Sequence, residues 1–529
     1  VTGSLVILNT WAFNGLDSDD QIIIKPDTPL TEWFVDPRGV RAISYLDVIY
    51  SNNVSGTTVD CTNGCNDGGN NIDWNFTASA ITVSGSVFID EGVTNIGSGT
   101  TVRLAINGVT DNSDTTDANG GFSISSSAPA GSGSVLTLYI DSGGGDAGVT
   151  ITLSDGNDST GIDIYRDYLL LRAENGGSVT NSNLDTGNDN ADTDIDAIYT
   201  MSGTTVTLVN GKELLVWPGF GYTPTGDVNI GTSGATTLLD VSGTLNMGAG
   251  ETLTVRGTLD VSGEFYGSSA TVDVNGDLTV SAGLFSAPTT TLTVSGTVDL
   301  AAGTYTHNSS TIEFDGTQQQ TVAAGTNTFN QMTVTNASGP GVIFTEAFTT
   351  ANFTNTTIAS TMTFQQSTTF TITNTLTLSG SSGNEIVLDS VDGSTRFTLT
   401  VSGGSQSVNY VDVSNSQTSS NNIIASNSNQ GANTDAAESA PHWVFPPPVA
   451  LEVDTGRFTL TAGTGNFSVT GVGFQPSAYI LFLTKNDTDD ADSAEGSGVG
   501  GLISVGMTDG TRQFCMATGS EDNQDTSDV

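Results

Sequence analysis

The chain has 529 residues, 64 of them Gly, and carries 12 Lys plus Arg against 57 Asp plus Glu, a formal charge of −45. That length exceeds what one hydrophobic core comfortably fills, so several domains are expected. The charge repels phosphate, which argues against nucleic acid and anionic lipid as partners.

Hydrophobic residues make up 36% of the chain, below the usual globular share. They fall in short alternating runs, which reads as ordered strand rather than disorder. No apolar run reaches transmembrane length, so no membrane insertion is expected in this segment. The chain starts at Val1 with no secretory leader pattern, as a mature or excised segment would.

Residues 1–97 are expected to be the end of a first β-solenoid block with an aromatic cap. The run Ile22-Ile-Ile24, then Tyr45-Leu-Asp47-Val48, Ser51 and Trp74-Asn-Phe76 carries this reading. It has a longer-range copy in Ile386-Val-Leu388, Tyr410-Val-Asp412-Val413, Ser416 and Trp443-Val-Phe445. In both, an aromatic pair is placed to cover the open end of a coil. The first block reads as headless, so the chain is expected to continue upstream or to borrow strands from another subunit. Cys61 and Cys65 are close enough for a local disulfide; free thiols and half a metal site are the alternatives. Cys515 stands alone in sequence.

Residues 98–160 change style. Thr101–Ile106 reads as a strand, Thr116–Ile124 as a turn into a strand, and Val135–Ile140 as a third strand. This is the pattern of a small Ig-like β-sandwich insert.

Residues 161–445 are expected to form a second solenoid block with its own cap. The pentad apolar-x-Gly-x-apolar recurs as Val241-Ser-Gly243-Thr-Leu245, Val255-Arg-Gly257-Thr-Leu259, Val274-Asn-Gly276-Asp-Leu278 and Val294-Ser-Gly296-Thr-Val298. Val83-Ser-Gly85-Ser-Val87 repeats it, and Ile372-Thr-Asn374-Thr-Leu376 carries Asn in place of Gly. Gly and Asn tolerate left-handed backbone, so a recurring bend is expected there. Strand, bend and strand about every twenty residues is the grammar of a stacked β-coil. A row of β-sandwiches is the alternative. No helix of ten residues or more is expected.

Pro446-Pro-Pro448 is a stiff break. Residues 446–529 then read as a C-terminal β-sandwich domain, in which Tyr479–Leu483 is the most apolar strand.

The closing sections, the Val-x-Gly-x-Leu rungs, Phe314-Asp-Gly316-Thr-Gln and Phe329-Asn-Gln-Met-Thr-Val334 resemble very large bacterial surface and extracellular right-handed β-helix proteins. Residues 98–160 look like a transthyretin-like, carboxypeptidase-regulatory-type insert, on the Thr116-Asp117, Gly120 and Phe122 turn. Gly456–Ala478, with Gly473-Phe474-Gln475-Pro476, is similar to a β domain of bacterial surface and phage structural proteins. The resemblance implies an all-β chain of right-handed parallel solenoid blocks, an extracellular or cell-surface location, and little chemistry.

His307 and His442 are the only histidines, and neither sits near a nucleophile in a triad-like pattern. Arg256 and Arg396 are the only basic residues between 226 and 445. Arg396 reads as the repeat counterpart of Trp33. Asp185, Asp189, Asp192, Asp194 and Asp196, with Asn188 and Asn190, offer the oxygens that calcium takes. Asp487, Asp489, Asp490 and Asp492 form a second acidic cluster, and a solvated loop is the alternative for both. The expected function is a non-enzymatic structural or adhesive surface protein, partnered by itself, by other surface proteins or by glycans. It extends to a filament built by strand exchange. A phage fibre and a polysaccharide-active β-helix enzyme are the rivals.

Overall fold

The structure is a computed structural model that describes residues 4–15, 21–28, 31–62, 65–76, 80–188, 192–232, 237–325, 327–447, 478–486, 501–508 and 512–520. The chain divides into two units, Val1–Pro447 and Pro448–Val529. The fold is all-β and is dominated by parallel sheets.

As far as Thr304–Thr306 each turn of the second block visits three parallel sheets, and the later turns visit two. One rung runs Thr252–Val255, Thr258–Val261 and Glu264–Tyr266, and the chain returns to the first of these sheets at Thr271–Val274. The alternation of Thr and Ser with Val, Leu and Ile points one set of side chains inward and the other to solvent, as strand geometry requires. Register then stacks like on like. Val149, Leu169, Leu214, Leu239, Leu259, Leu278, Val298, Val322, Phe344 and Phe364 are successive partners in one ladder. All ten are buried. Burying one such side chain is worth roughly 1.5–3 kcal/mol, and each rung owes most of that burial to its neighbours. On the shortest of the three sheets Phe265 stacks on Phe285 at 4.5 Å, and Phe285 on Tyr305 at 5.9 Å.

Polar residues enter the interior where a corner needs them. Gln320 is fully buried and donates to the carbonyls of Val294 and Gly296 at 2.8 and 3.1 Å. Its Oε1 accepts from Gly316 N and Asn336 Nδ2. Satisfied on both sides, the amide ties successive rungs together instead of costing stability.

The four pentads from Val241 to Val298 are corners, but not for the reason expected. None of Gly243, Gly257, Gly263, Gly276 and Gly296 has a positive φ. They are Gly because the rung beneath comes too close. A Cβ on Gly257 would meet Thr237 O at 1.9 Å, on Gly276 Gly257 O at 2.3 Å, and on Gly296 Gly276 O at 2.4 Å. The uneven spacing also has a cause. Val241–Leu245 and Val261–Phe265 turn the chain from the longest sheet into the shortest. Val255–Leu259, Val274–Leu278 and Val294–Val298 turn it into the longest sheet, one corner earlier in the rung. Ile372–Leu376 is no corner between sheets; it lies within the single strand Thr369–Ser379.

The first block, residues 4–76, is a short solenoid of parallel pairs. Its first rung is β1 (Ser4–Ile7), β2 (Thr10–Asn14) and β3 (Ile22–Ile24). These pair with Trp33–Pro37, Val40–Ser44 and Leu46–Val48. Its closing section matches that of the second block in detail. Tyr45 and Tyr410 both have φ 51°. Each offers its carbonyl at 3.0 Å to the N–H of Ile22 or Ile386. Trp74 Nε1 donates to Ser51 Oγ at 3.0 Å, and Trp443 Nε1 to Ser416 Oγ at 3.0 Å. The partner rings Phe76 and Phe445 stack on them.

Between the blocks, Thr82–Phe88 pairs antiparallel with Gly121–Ser125, and Thr101–Ile106 pairs antiparallel with Val109–Thr115 and Ser132–Ile140. Val83–Val87 is therefore a sandwich strand and not a solenoid rung. The strand Ser132–Ile140 serves two cores. Leu136, Leu138 and Ile140 face the sandwich; Val135 and Tyr139 face the solenoid. The next strand, Val149–Asp155, pairs antiparallel with it and parallel with Tyr168–Leu171. One sheet thus begins antiparallel in the sandwich and continues parallel into the coil.

In the second unit, Tyr479–Asn486, Gly501–Thr508 and Gln513–Ser520 form an antiparallel sheet. The strands expected over Gly456–Pro476 and the acidic cluster Asp487–Asp492 lie outside the described residues.

Candidate functional site

The segment expected as an acidic loop is helical. α1 spans Asn181–Asn188 and α2 spans Thr193–Asp196. Thr180 and Asn183 cap α1 reciprocally: Thr180 N donates to Asn183 Oδ1 at 2.9 Å, and Asn183 N to Thr180 Oγ1 at 3.3 Å. Leu184, Ile195, Ile198 and Tyr199 are buried in the solenoid core, so the segment covers the start of the second coil. The sequence signal for this was Thr180-x-x-Asn183 followed by Leu184.

The carboxylates sort by partner. Asp185 and Asp196 are exposed. Asp196 Oδ1 accepts from Asn188 Nδ2 at 3.2 Å. Asp192 caps α2 through Asp194 N and accepts from Tyr139 Oη at 2.9 Å. Burial, and then this carboxylate, push the Tyr139 phenol well above its usual range. Asp194 is 2% exposed and takes the N–H groups of Ser142, Gly143 and Gly144 at 3.0, 3.0 and 3.1 Å. It clamps the turn that follows Ser132–Ile140 onto the helical cover. Asp189 lies outside the described residues. Among the described residues no three His, Cys, Asp or Glu side chains converge as a metal site.

The sulfurs of Cys61 and Cys65 are bonded, and Cys515 is free and exposed. His307 Nδ1 accepts from Ser309 N within a turn. His442 packs beside the cap, its N–H on Asn422 Oδ1. Arg256 bonds Asn275 on the next rung. Arg396 binds Glu438 and the carbonyls of Asn433 and Thr434. The register corrects its repeat slot. Trp33 pairs with Ser51 as Phe397 pairs with Ser416, so Phe397 is the counterpart of Trp33.

One group of acids was not foreseen. Where the sandwich meets the outer face of the longest sheet, Tyr165, Tyr168, Leu170 and Leu215 are buried with Phe88 and Trp217. Tyr168 Oη donates to Glu91 Oε1 at 3.0 Å. The next rungs carry Asp240 opposite Leu215, and Asp260 opposite Asp240. Burial pushes the Asp240 carboxyl up to about 6; the Ser242 hydroxyl opposes the shift, and Glu91, Asp260 and Glu213 add to it. Such a group exchanges a proton near neutral pH. Its residues are scattered over 170 positions of sequence, and no local pattern marks them.

Shallow depressions lie at Ile480, Met507 and Phe514 of the second unit and at Gly325, Phe348 and Thr371 of the solenoid. No helix among the described residues is long and apolar enough to cross a membrane. No protein-family model, no curated protein and no solved structure matches the chain.

Proposed function

We propose that this chain is a structural and adhesive protein of the bacterial cell surface, in which the solenoid is a stiff spacer and the sandwich insert and C-terminal domain present contacts. The observation that carries the reading is the unbroken inner ladder from Val149 to Phe364, in register and buried throughout. A core of this kind resists bending because every rung is hydrogen-bonded to both neighbours. The Cys61–Cys65 bond suits an oxidising compartment. The charge of −45 favours a solvated, non-collapsing surface. Assembly into a filament by strand addition belongs to the same reading. Surface biotinylation of intact cells is the test. Labelling of the chain without permeabilisation is expected, and labelling only after lysis would contradict the reading.

The carboxylates around Asp240 favour a second reading, a polysaccharide-active face. It requires that Asp240→Asn abolish cleavage of an acidic glycan by the intact protein.

A further inference from the structure

A short arm of the insert lies on the outer face of the longest sheet. It leaves the sandwich at Phe88, the register partner of Tyr165, and returns at Ile96, whose N–H donates to Val87 O at 3.0 Å. Ile89 N donates to Thr94 O at 2.9 Å across the arm. Asp90 shapes the tip: its Oδ1 accepts from Val93 N and Thr94 N at 2.9 and 2.7 Å. The Thr94 hydroxyl and these N–H groups hold the Asp90 carboxyl below its usual range. Gly92 has a φ of +78°, and a Cβ there would sit 2.9 Å from Tyr165 Oη, so only glycine lets the arm lie on that ring.

The arm is gripped from below by the bond from Tyr168 Oη to Glu91 Oε1 at 3.0 Å. Burial, then Glu213 and Glu91, push the Tyr168 phenol well above its usual range, so it stays a donor. Burial pushes the Tyr165 phenol up to about 12; Asp163, Glu91 and Asp90 add to the shift and Arg172 opposes it. Glu213 is the register partner of Tyr168, and Asp240 and Asp260 lie on the next two rungs. Asp240 takes the Ser242 hydroxyl at 2.7 Å, and Asp260 the Ser281 hydroxyl at 2.8 Å. The nearby cations are engaged elsewhere. Lys212 binds Asp167, and Arg166 binds Asp146 and Asp167. Arg172 binds Glu174 and lies over the Trp217 and Phe220 rings. The seam therefore sets acids of the arm and of the solenoid against each other with hydroxyls between them.

We propose that the arm of residues 89–95 is a pH-released latch, lying on the solenoid while the acids beneath it hold a proton and lifting as they ionise. With the arm down, Asp240 is held near 6 by burial first, with Glu91, Asp260 and Glu213 adding to the shift. Lifting the arm returns water to this carboxyl and, with it, the ordinary aspartate value of 3.8. Between the two values the closed state binds more protons, so rising pH favours release. The Glu91 carboxylate then repels that of Asp240 across the seam. Release uncovers the Tyr165 and Tyr168 rings beside Trp217, so this face is covered in acid and presented near neutrality. The latch goes beyond the spacer reading and stands apart from it.

The test is amide hydrogen exchange of the full chain at pH 5 and pH 7.5, corrected for the intrinsic pH dependence of exchange. Residues 87–97 report the arm, and the rungs of residues 291–314 serve as reference. Protection of the arm is expected to fall about tenfold from pH 5 to pH 7.5, while the reference rungs hold theirs. Asp240→Asn should leave the arm's protection flat across that range. Tyr168→Phe removes the grip and not the trigger, so it should lower the arm's protection at both pH values and keep the ratio between them. Wild-type protection that ignores pH overturns the proposal, as does a fall shared equally by the reference rungs. A ratio that survives Asp240→Asn, or one that Tyr168→Phe alone abolishes, overturns it as well. No glycan or cell is present, so the latch fails or stands independently of surface display and of any polysaccharide cleavage.

Discussion

Gly276 shows how much of this fold is decided by a missing methyl group. Its Cβ would sit 2.3 Å from the carbonyl of Gly257, which in turn stacks over Thr237. Gly276→Ala is expected to destabilise the solenoid by about 1–3 kcal/mol through overpacking, read as a lower urea midpoint. Gly339 makes the contrast, because its φ is not left-handed and a Cβ there meets nothing within 4 Å. The pentad was legible in sequence, and so was its role as a corner in the four copies from Val241 to Val298, though not at Val83–Val87 or Ile372–Leu376. Its physical cause was not, because the atom that forbids a side chain belongs to a residue about twenty positions away. Asp240 makes the same point for charge. Its folded pKa of about 6 lies above the ordinary aspartate value of 3.8, so the native state binds more protons between the two. Stability therefore falls as pH rises through that window. Asp240→Asn is expected to raise the melting temperature at pH 7 and to shrink the gain in stability that the wild-type chain shows on going from pH 7 to pH 5. An unchanged gain would mean that other carboxylates carry it.

At the scale of elements, the strands announce themselves by alternation, and the closing sections by the paired Trp-x-Phe. The helical cover at Asn181–Asp196 does not. Its composition is that of a solvated loop, and only tertiary burial of Leu184 and Ile195 makes it a lid on the coil. Two substitutions separate these cases. Phe285→Ala removes the middle ring of the Phe265–Phe285–Tyr305 stack and should cost about 3–5 kcal/mol. Asp194→Ala leaves three N–H groups of Ser142–Gly144 without their carboxylate. It should cost about 1.5–3 kcal/mol, with faster hydrogen exchange confined to that turn and α2. Asp192 and Asp194 already serve protein donors. Chelator should leave the melting temperature unchanged, and a rise on adding calcium would restore a metal to the acidic segment.

For the molecule as a whole, the fold class was legible because period-two alternation over hundreds of residues has few solutions. The continuity of sandwich and solenoid was not. Ser132–Ile140 reads as one insert strand, yet alternate side chains serve two cores, and no local signal says so. The functional proposal draws on this continuity: the rungs and the cap of the second block share one packed interior, and Ser132–Ile140 joins it to that of the insert. The most direct test is electron cryomicroscopy of native material released from the cell surface and identified by antibody to the folded second block. The account predicts straight rods in which that block shows strands stacked along the rod axis at a repeat of about 4.8 Å. Isolated globular particles, or rods whose strands run along the axis, would contradict it.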